Sequence, residues 1–405
     1  MASQIQINIE TQGDFNYGKT NIPIQIEVAD HKLKPILTQM THTQGSPILE
    51  LEPGTYFISA STPSGARVER VIEVVVELKE GEMQNISLPL YDISPHEDYE
   101  WAYMTQKPTP LSLPEEPSRQ KELKEGWVRL WQSQGTGYVL ADPAYEILFE
   151  GPSDRLIRFE SVPEGVSCLQ VGGPAVPWKC VAIPPRTACK ILIQASSKYS
   201  KHPLDVTVAS DNLALESLLA FLRRGQLEMA SEIESGQARL AEELVFHKHQ
   251  DPMAAAVGGY FLLRINDLER LHNWANNLAN RFPWMPDGAI IHAWQLIAEY
   301  RQSAGADQDK LDQARERLIE AVARGFPIYS EGLRLLRDGL LLIDQQAEAK
   351  DPEIRAALNK AGAYYSAADL STTTTTFLGE TPYNPSPQPI TGVPEDQTSL
   401  KYIFE

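Results

Sequence analysis

The residues able to do chemistry are few, and none stands in a recognisable catalytic setting. His247 and His249 flank Lys248 at the end of a helical pattern, and His272 and His292 follow in separate segments. Side chains two positions apart on a helix project about 200° from each other, so His247 and His249 do not converge on a metal. The favoured reading is a solvated helix end. Asp307, Asp309 and Asp312 have part of a calcium-loop spacing, but the required glycine and terminal bidentate glutamate are misplaced, so they read as a capped, charged helix start. The three cysteines, Cys168, Cys180 and Cys189, fall in one segment and read as small buried hydrophobes of a reducing compartment rather than as a disulfide framework. Gly172-Gly173-Pro174 lacks the following helix that a phosphate-binding glycine loop needs, and reads as a turn. No Gly-x-Ser-x-Gly elbow, Gly-x4-Gly-Lys-Ser/Thr loop or His-Glu-x-x-His helix occurs. These residues lead us to expect a non-enzymatic protein, with no cofactor and no metal site.

The stretch that organises the chain is residues 211–366, where apolar residues recur at helical spacing through seven or eight segments. Within it Phe282-Pro283-Trp284-Met285-Pro286-Asp287-Gly288 is echoed by Phe326-Pro327-Ile328-Tyr329-Ser330-Glu331-Gly332, 44 positions on, each copy separating two helical patterns. Asp211 is the expected N-cap of the first helix, and Leu268, Leu271, Ala275, Leu278 and Phe282 predict one continuous helix. Ala254, Ala255, Ala256, Gly258 and Gly259 predict a close helix–helix approach. Ala293 with Ala314, Leu318 and Ala321 resembles the small, large, small pattern of a divergent tetratricopeptide repeat. The lengthened turn at 303–308 and Arg337 depart from that pattern, and the 44-residue period leaves a HEAT-like or other helical repeat open. Such arrays bind proteins. Trp274, Trp284, Trp294 and Tyr300 read first as packing between helices; Trp284, with Tyr329 in the second copy, is the candidate peptide anchor.

Before the array, residues 4–90 alternate as half-buried strands, with Ile5, Ile7 and Ile9 and then Ile22, Ile24, Ile26 and Val28 on apolar faces. The Pro53-Gly54-Thr55-Tyr56 turn and the Glu80-Gly81-Glu82 turn before Ile86 and Leu88 resemble sandwiches of the PEGA and carboxypeptidase-regulatory type, a resemblance that implies a structural or binding accessory. Five prolines between Pro95 and Pro117 predict a linker. From Trp127, seven short strands predict a second sandwich. After Ser366, the run at 371–376 and the prolines that follow it, among them Pro382, Pro385, Pro387 and Pro394, predict a flexible tail, ending in Leu400-Lys401-Tyr402-Ile403-Phe404-Glu405. This hexapeptide is expected to add as a strand to a partner's sheet or to fold back on the chain.

The expected architecture is therefore multidomain β + α: a β-sandwich at 1–91, a linker at 92–125, a second β-sandwich at 126–209, an antiparallel helical-hairpin array at 210–366 and a tail at 367–405. The chain has 405 residues, 42% of them hydrophobic, and a formal charge of −18 from 54 acidic and 36 basic residues. Without a basic stripe, that charge argues against nucleic acid or anionic membranes as partners. The N-terminus has no signal-like apolar core and no apolar run reaches membrane-spanning length, so a cytoplasmic protein is expected.

The function expected is that of an adaptor, scaffold or regulator acting on another protein through Trp284, Tyr329 and the terminal Leu400, Tyr402, Ile403 and Phe404. β modules joined to helical repeats also resemble components encoded beside caspase-like peptidases in bacterial defence systems. That resemblance implies a second role, substrate or inhibitor of such a peptidase, with cleavage near Arg119, Lys121 and Lys124 or at Arg223 and Arg224. A hydrolase assembled from distant residues is the third class. The oligomeric state is open.

Overall fold

A computed structural model describes residues 3–11, 23–42, 45–61, 67–74, 83–90, 123–134, 137–142, 144–150, 154–160, 164–195, 203–224, 231–303, 307–346 and 351–404. The chain forms two compact units, residues 1–113 with 212–240, and residues 114–211 with 241–405.

In the first unit, β1 (Ser3–Thr11), β2 (Pro23–Ala29), β3 (Pro35–His42), β4 (Ile48–Leu51), β5 (Gly54–Ser61), β6 (Arg67–Val74) and β7 (Gln84–Leu90) form two sheets. Their orders are β4-β1-β7 and β3-β2-β5-β6, with β1 and β7 parallel. Ile5, Ile7, Ile24, Ile26, Val28, Ile58, Ala60, Ile86 and Leu88 are all buried, as their period-two spacing requires. Helix α1 (Leu213–Arg224) buries Leu215, Leu218, Leu219 and Leu222 and packs on β2 and β3. Its cap is Asn212, whose side chain accepts from Ala214 N and Leu215 N at 3.1 and 3.2 Å. The expected cap, Asp211, is instead the carboxylate partner of Arg158 at 2.9 Å, which removes it from the helix terminus.

The second unit contains β8 (Trp127–Gln134), β9 (Gly137–Ala141), β10 (Glu146–Glu150), β11 (Asp154–Phe159), β12 (Ser167–Gly172), β13 (Lys179–Ile183), β14 (Cys189–Ala195) and β15 (Leu204–Ser210). Helix α2 (Ser231–Phe246) runs across the division at residue 240, and α3 (Pro252–Arg264), α4 (Trp274–Arg281), α5 (Pro286–Gln302), α6 (Gln308–Arg324), α7 (Ser330–Gln346) and α8 (Pro352–Ala367) follow in the second unit. The chain then returns to strand as β16 (Thr376–Thr381), β17 (Asn384–Pro385) and β18 (Lys401–Tyr402). One sheet runs β10-β11-β14-β15; the other runs β17-β16-β13-β12-β8-β18, with β9 also on β8.

The second sandwich is thus closed by strands from beyond the helices, and the segment expected as a flexible tail is built into it. β16 pairs with β13 through Lys179↔Leu378, Cys180↔Phe377 and Val181↔Thr376, and β18 pairs with β8 through Val128 and Trp127. Ile403 and Phe404 enter the sandwich core beside Leu123, Val128 and Val171. Threonine is β-branched and fits a pleated surface. Given an open sheet edge at β13, the Ser/Thr run finds backbone partners: Thr375 N donates to Ile328 O and Ala182 N to Thr375 O, each at 2.8 Å. Composition alone does not reveal that edge.

At the centre of this sheet Gln170 is fully buried. Its carbonyl oxygen accepts from Arg129 Nε at 2.6 Å and Trp131 Nε1 at 2.9 Å, and its amide nitrogen donates to Gly379 O and Glu380 O at 3.0 Å each. Nearby, Trp127 Nε1 and Trp178 Nε1 both donate to Gly392 O, at 2.9 and 3.0 Å. Those indoles lie against Gly172, where a Cβ would sit 2.5 Å from Trp127 Cζ2 and 2.6 Å from Trp178 Cδ1, so only glycine fits.

Three further features of the array are set by local chemistry. Asp251 caps α3, accepting from Met253 N and Ala254 N at 3.0 and 2.9 Å, with Pro252 in the first turn. A Cβ at Gly258 would lie 2.6 Å from Ala241 O, so the small residues of α3 do admit α2 closely. The continuous helix expected over 268–282 is broken into a 3-10 turn (Glu269–Leu271) and α4, because His272 between them has φ 46 and ψ −137. Replacing Phe404 by alanine is expected to lower the stability of the second unit by about 3 kcal/mol, measured as a shift in its urea-unfolding midpoint.

Candidate functional site

The repeated Phe-Pro loops face the second sandwich. Phe326 stacks on Tyr138 of β9 at 6.0 Å and meets Tyr364 of α8 and Phe377 of β16 edge-on or tilted at 5.6 and 5.1 Å. In the first copy Trp284 is half-buried, and its indole N–H donates to Glu164 Oε1 at 2.9 Å. The two copies are tied to each other by Asp287, fully buried at the start of α5. It accepts from Ile328 N at 2.9 Å, Tyr329 N at 3.3 Å and Tyr260 Oη at 2.9 Å. Arg324 completes the link by donating to Ala279 O at 2.8 Å and Met285 O at 2.9 Å. Burial pushes the Asp287 carboxyl up to about 6 despite these bonds.

Held by that frame, α4, α5 and α6 enclose a cleft of about 540 Å³. Its lining is polar: His292, Gln295 and Glu299 form one stripe on α5, and Lys310, Gln313, Arg317 and Glu320 an opposing stripe on α6. Lys310 Nζ pairs with Glu299 Oε2 at 2.6 Å, while Arg317 donates to Glu320 at 2.7 Å, Asn280 at 2.6 Å and Asn276 at 3.1 Å. The strained His272 sits on the rim; its carbonyl accepts from Gln295 Nε2 at 2.7 Å and its Nε2 lies 3.1 Å from Glu242 Oε1. Backbone conformations of this kind cost on the order of 1–3 kcal/mol and cluster at functional positions.

His292 is the distinctive group. Its Nδ1 is buried and has no hydrogen-bond partner among the described residues. Burial, together with the charges of Arg317 and Lys310, lowers it to about 4. The imidazole is therefore neutral at pH 7, presenting one donor and one acceptor. The described lining supplies directional hydrogen bonds and paired charges.

Of the residues singled out from sequence, Tyr329 is 1% exposed and packs against Tyr260 inside the array. Ile403 and Phe404 are buried in the sandwich core, Leu400 is half-buried, and Tyr402 is 54% exposed on β18. Lys124 is exposed in the turn before β8; Arg119 and Lys121, like the aromatics Trp101 and Tyr103, lie outside the described residues. Arg223 and Arg224 form the last turn of α1, and their side chains lie outside the description. All three cysteines are buried and none is in a disulfide. Among the described residues no three His, Cys, Asp or Glu side chains group as a metal site, and no helix is long and apolar enough to cross a membrane. Sequence reasoning missed the cleft, whose signal is the spacing of His292, Gln295 and Glu299 at i, i+3 and i+7, a pattern shared by ordinary solvated faces.

Residues 217–395 match the Y4kD C-terminal domain family. A 126-residue stretch is 33% identical to a probable protease of a Desulfuromonadales bacterium, covering 31% of this chain and 13% of that protein. The chain thus spans only a small part of that relative's length. No solved structure matches.

Two titrations report on this region. The His292 ring protons are expected to show no titration between pH 5.5 and 8 by NMR, whereas an exposed histidine moves near 6.5. For Asp287 the folded value of about 6 lies above the unfolded 3.8, so its contribution is fully present below pH 3.8 and is lost as pH rises through 6. Urea denaturation should show stability falling by about 3 kcal/mol across that window relative to Asp287→Asn, which does not titrate.

Proposed function

We propose that this protein is an interaction adaptor or scaffold whose helical array binds an extended segment of a partner protein in the α4–α5–α6 cleft. The observation that carries this reading is the cleft itself, with a polar stripe on α5 opposed by a polar stripe on α6. An extended peptide has an N–H and a C=O at every residue, and the cleft offers both donors and acceptors along its length. The strained His272 on the rim and the rigid frame around Asp287 support a preformed site. Tyr329 is buried within the array and Trp284 is half-buried with its indole N–H on Glu164, which supports the polar stripes in the anchoring role.

A second reading is that the partner is a peptidase, with this chain as substrate or inhibitor. The likeness to a probable protease favours it, because the shared stretch is 13% of that protein, the proportion of an accessory segment rather than of a whole enzyme. On this reading the chain and the larger protein use related segments to enter the same assembly.

The test is affinity capture from native cells with wild-type protein and with Gln313→Arg/Glu316→Arg, both exposed positions on the cleft wall. The expected result is a partner held by wild type and recovered at least about tenfold less by the variant, as for the loss of roughly 1.4 kcal/mol. Equal recovery removes the cleft as the site. A peptidase among the captured proteins supports the second reading, and efficient turnover of a substrate by the purified chain removes the adaptor reading.

A further inference from the structure

Next to the polar cleft, but separate from it, the turn His247-Lys248-His249-Gln250 between α2 and α3 forms one wall of a second cavity of about 350 Å³, with α4 as the other. Phe246 at its edge is 56% exposed, and its ring lies 5.3 Å from that of Trp274. Lys248 is only 6% exposed; its ammonium sits 5.3 Å from the centre of the Trp274 ring and donates to Val245 O at 3.3 Å. Arg281 enters from α4 and reaches the Nε2 of His249.

The charge pattern of this cavity runs against that of the whole chain. In a protein of net charge −18, none of the described residues that line it is Asp or Glu. Glu242, the nearby carboxylate of α2, is engaged by Arg270 and His272. Among the described residues neither Lys248 nor Arg281 has a carboxylate within ion-pairing distance. Burial, with the charge of Arg281, pushes the Lys248 ammonium down from its ordinary value. Buried cations in proteins are ordinarily paired. Here the missing partner is an anion.

We propose that this cavity binds a phosphate monoester carried on an aromatic or apolar body, the phosphate between Lys248 and Arg281 and the body against Phe246 and Trp274. Two permanent cations and two imidazoles, His247 and His249, match a group of about −1.5 to −2 charge better than a singly charged carboxylate. The guanidinium fork of Arg281 suits bidentate contact with phosphate, Lys248 acts as a point charge, and the aromatic faces take the apolar body. This site does not depend on the adaptor reading and would stand if the cleft proved empty.

The probe is phenyl phosphate, titrated into the full chain by calorimetry, with inorganic phosphate and phenylacetate as controls and with Arg281→Gln and Phe246→Ser as variants. Both substitutions fall at exposed residues, and thermal unfolding verifies that each variant is folded. Saturable binding is expected, weakened at least about tenfold by Arg281→Gln and by raised salt. Phe246→Ser is expected to bring the affinity for phenyl phosphate towards that for inorganic phosphate. Competition by phosphotyrosine or by adenosine monophosphate then separates a peptide source from a nucleotide source. The proposal is overturned if phenyl phosphate does not saturate, if both variants bind it like wild type, if phenylacetate binds as tightly, or if inorganic phosphate alone matches it.

Discussion

The four hydrogen bonds of Gln170 are the constraint on which the second unit depends. A primary amide in a sheet interior costs several kcal/mol unless every donor and acceptor is met. Two of its bonds come from β8, through Arg129 and Trp131, and two go to the carbonyls of Gly379 and Glu380, more than two hundred positions away. The same sheet buries the Arg129 guanidinium within 5.8 Å of three tryptophan rings, Trp127, Trp131 and Trp178. Charge and amide are both satisfied only when the chain's last segment is in place. In consequence the segment from α3 to α8 is followed by strands that anchor its C-terminal end to the sandwich.

That anchoring bears on function. Because α8 is followed directly by β16, and because Phe326 packs against Tyr138, Tyr364 and Phe377, the array has little freedom to slide against the sandwich. Asp287 adds rigidity within the array by fixing one repeat loop to the next through Ile328 and Tyr329. A cleft held by such a frame can present polar groups without paying ordering entropy on binding, which is how a largely hydrophilic surface achieves selectivity. The neutral His292 belongs to that scheme, since a charged imidazole would repel Lys310 and Arg317.

Much of this architecture is legible in the sequence, and the exceptions have physical causes. Alternating isoleucines announce β1 and β2, and the three-and-four spacing of Leu333, Leu336, Leu340 and Ile343 announces α7. Strand β12 leaves no such trace: it is buried on both faces, so polar alternation is absent, and Gln170 and Gly172 interrupt the apolar run. The terminal strands are hidden for the opposite reason, since threonine, glycine and proline spell a loop until an open edge at β13 is known. His272 breaks an otherwise regular helical stripe through tertiary bonds to Gln295 and Glu242 that no local pattern encodes. The cleft left no trace of its own, its two polar stripes being indistinguishable in sequence from solvated helix faces.

The most direct measurement is hydrogen exchange of the full chain read by mass spectrometry, comparing residues 376–381 and 401–404 with β12 and β13. If the C-terminal segment closes the second sandwich, its amides should exchange together with those central strands and be lost in the same opening event. Exchange of the C-terminal segment within seconds, while β12 and β13 remain protected for hours, would contradict the account and release the array from that anchor.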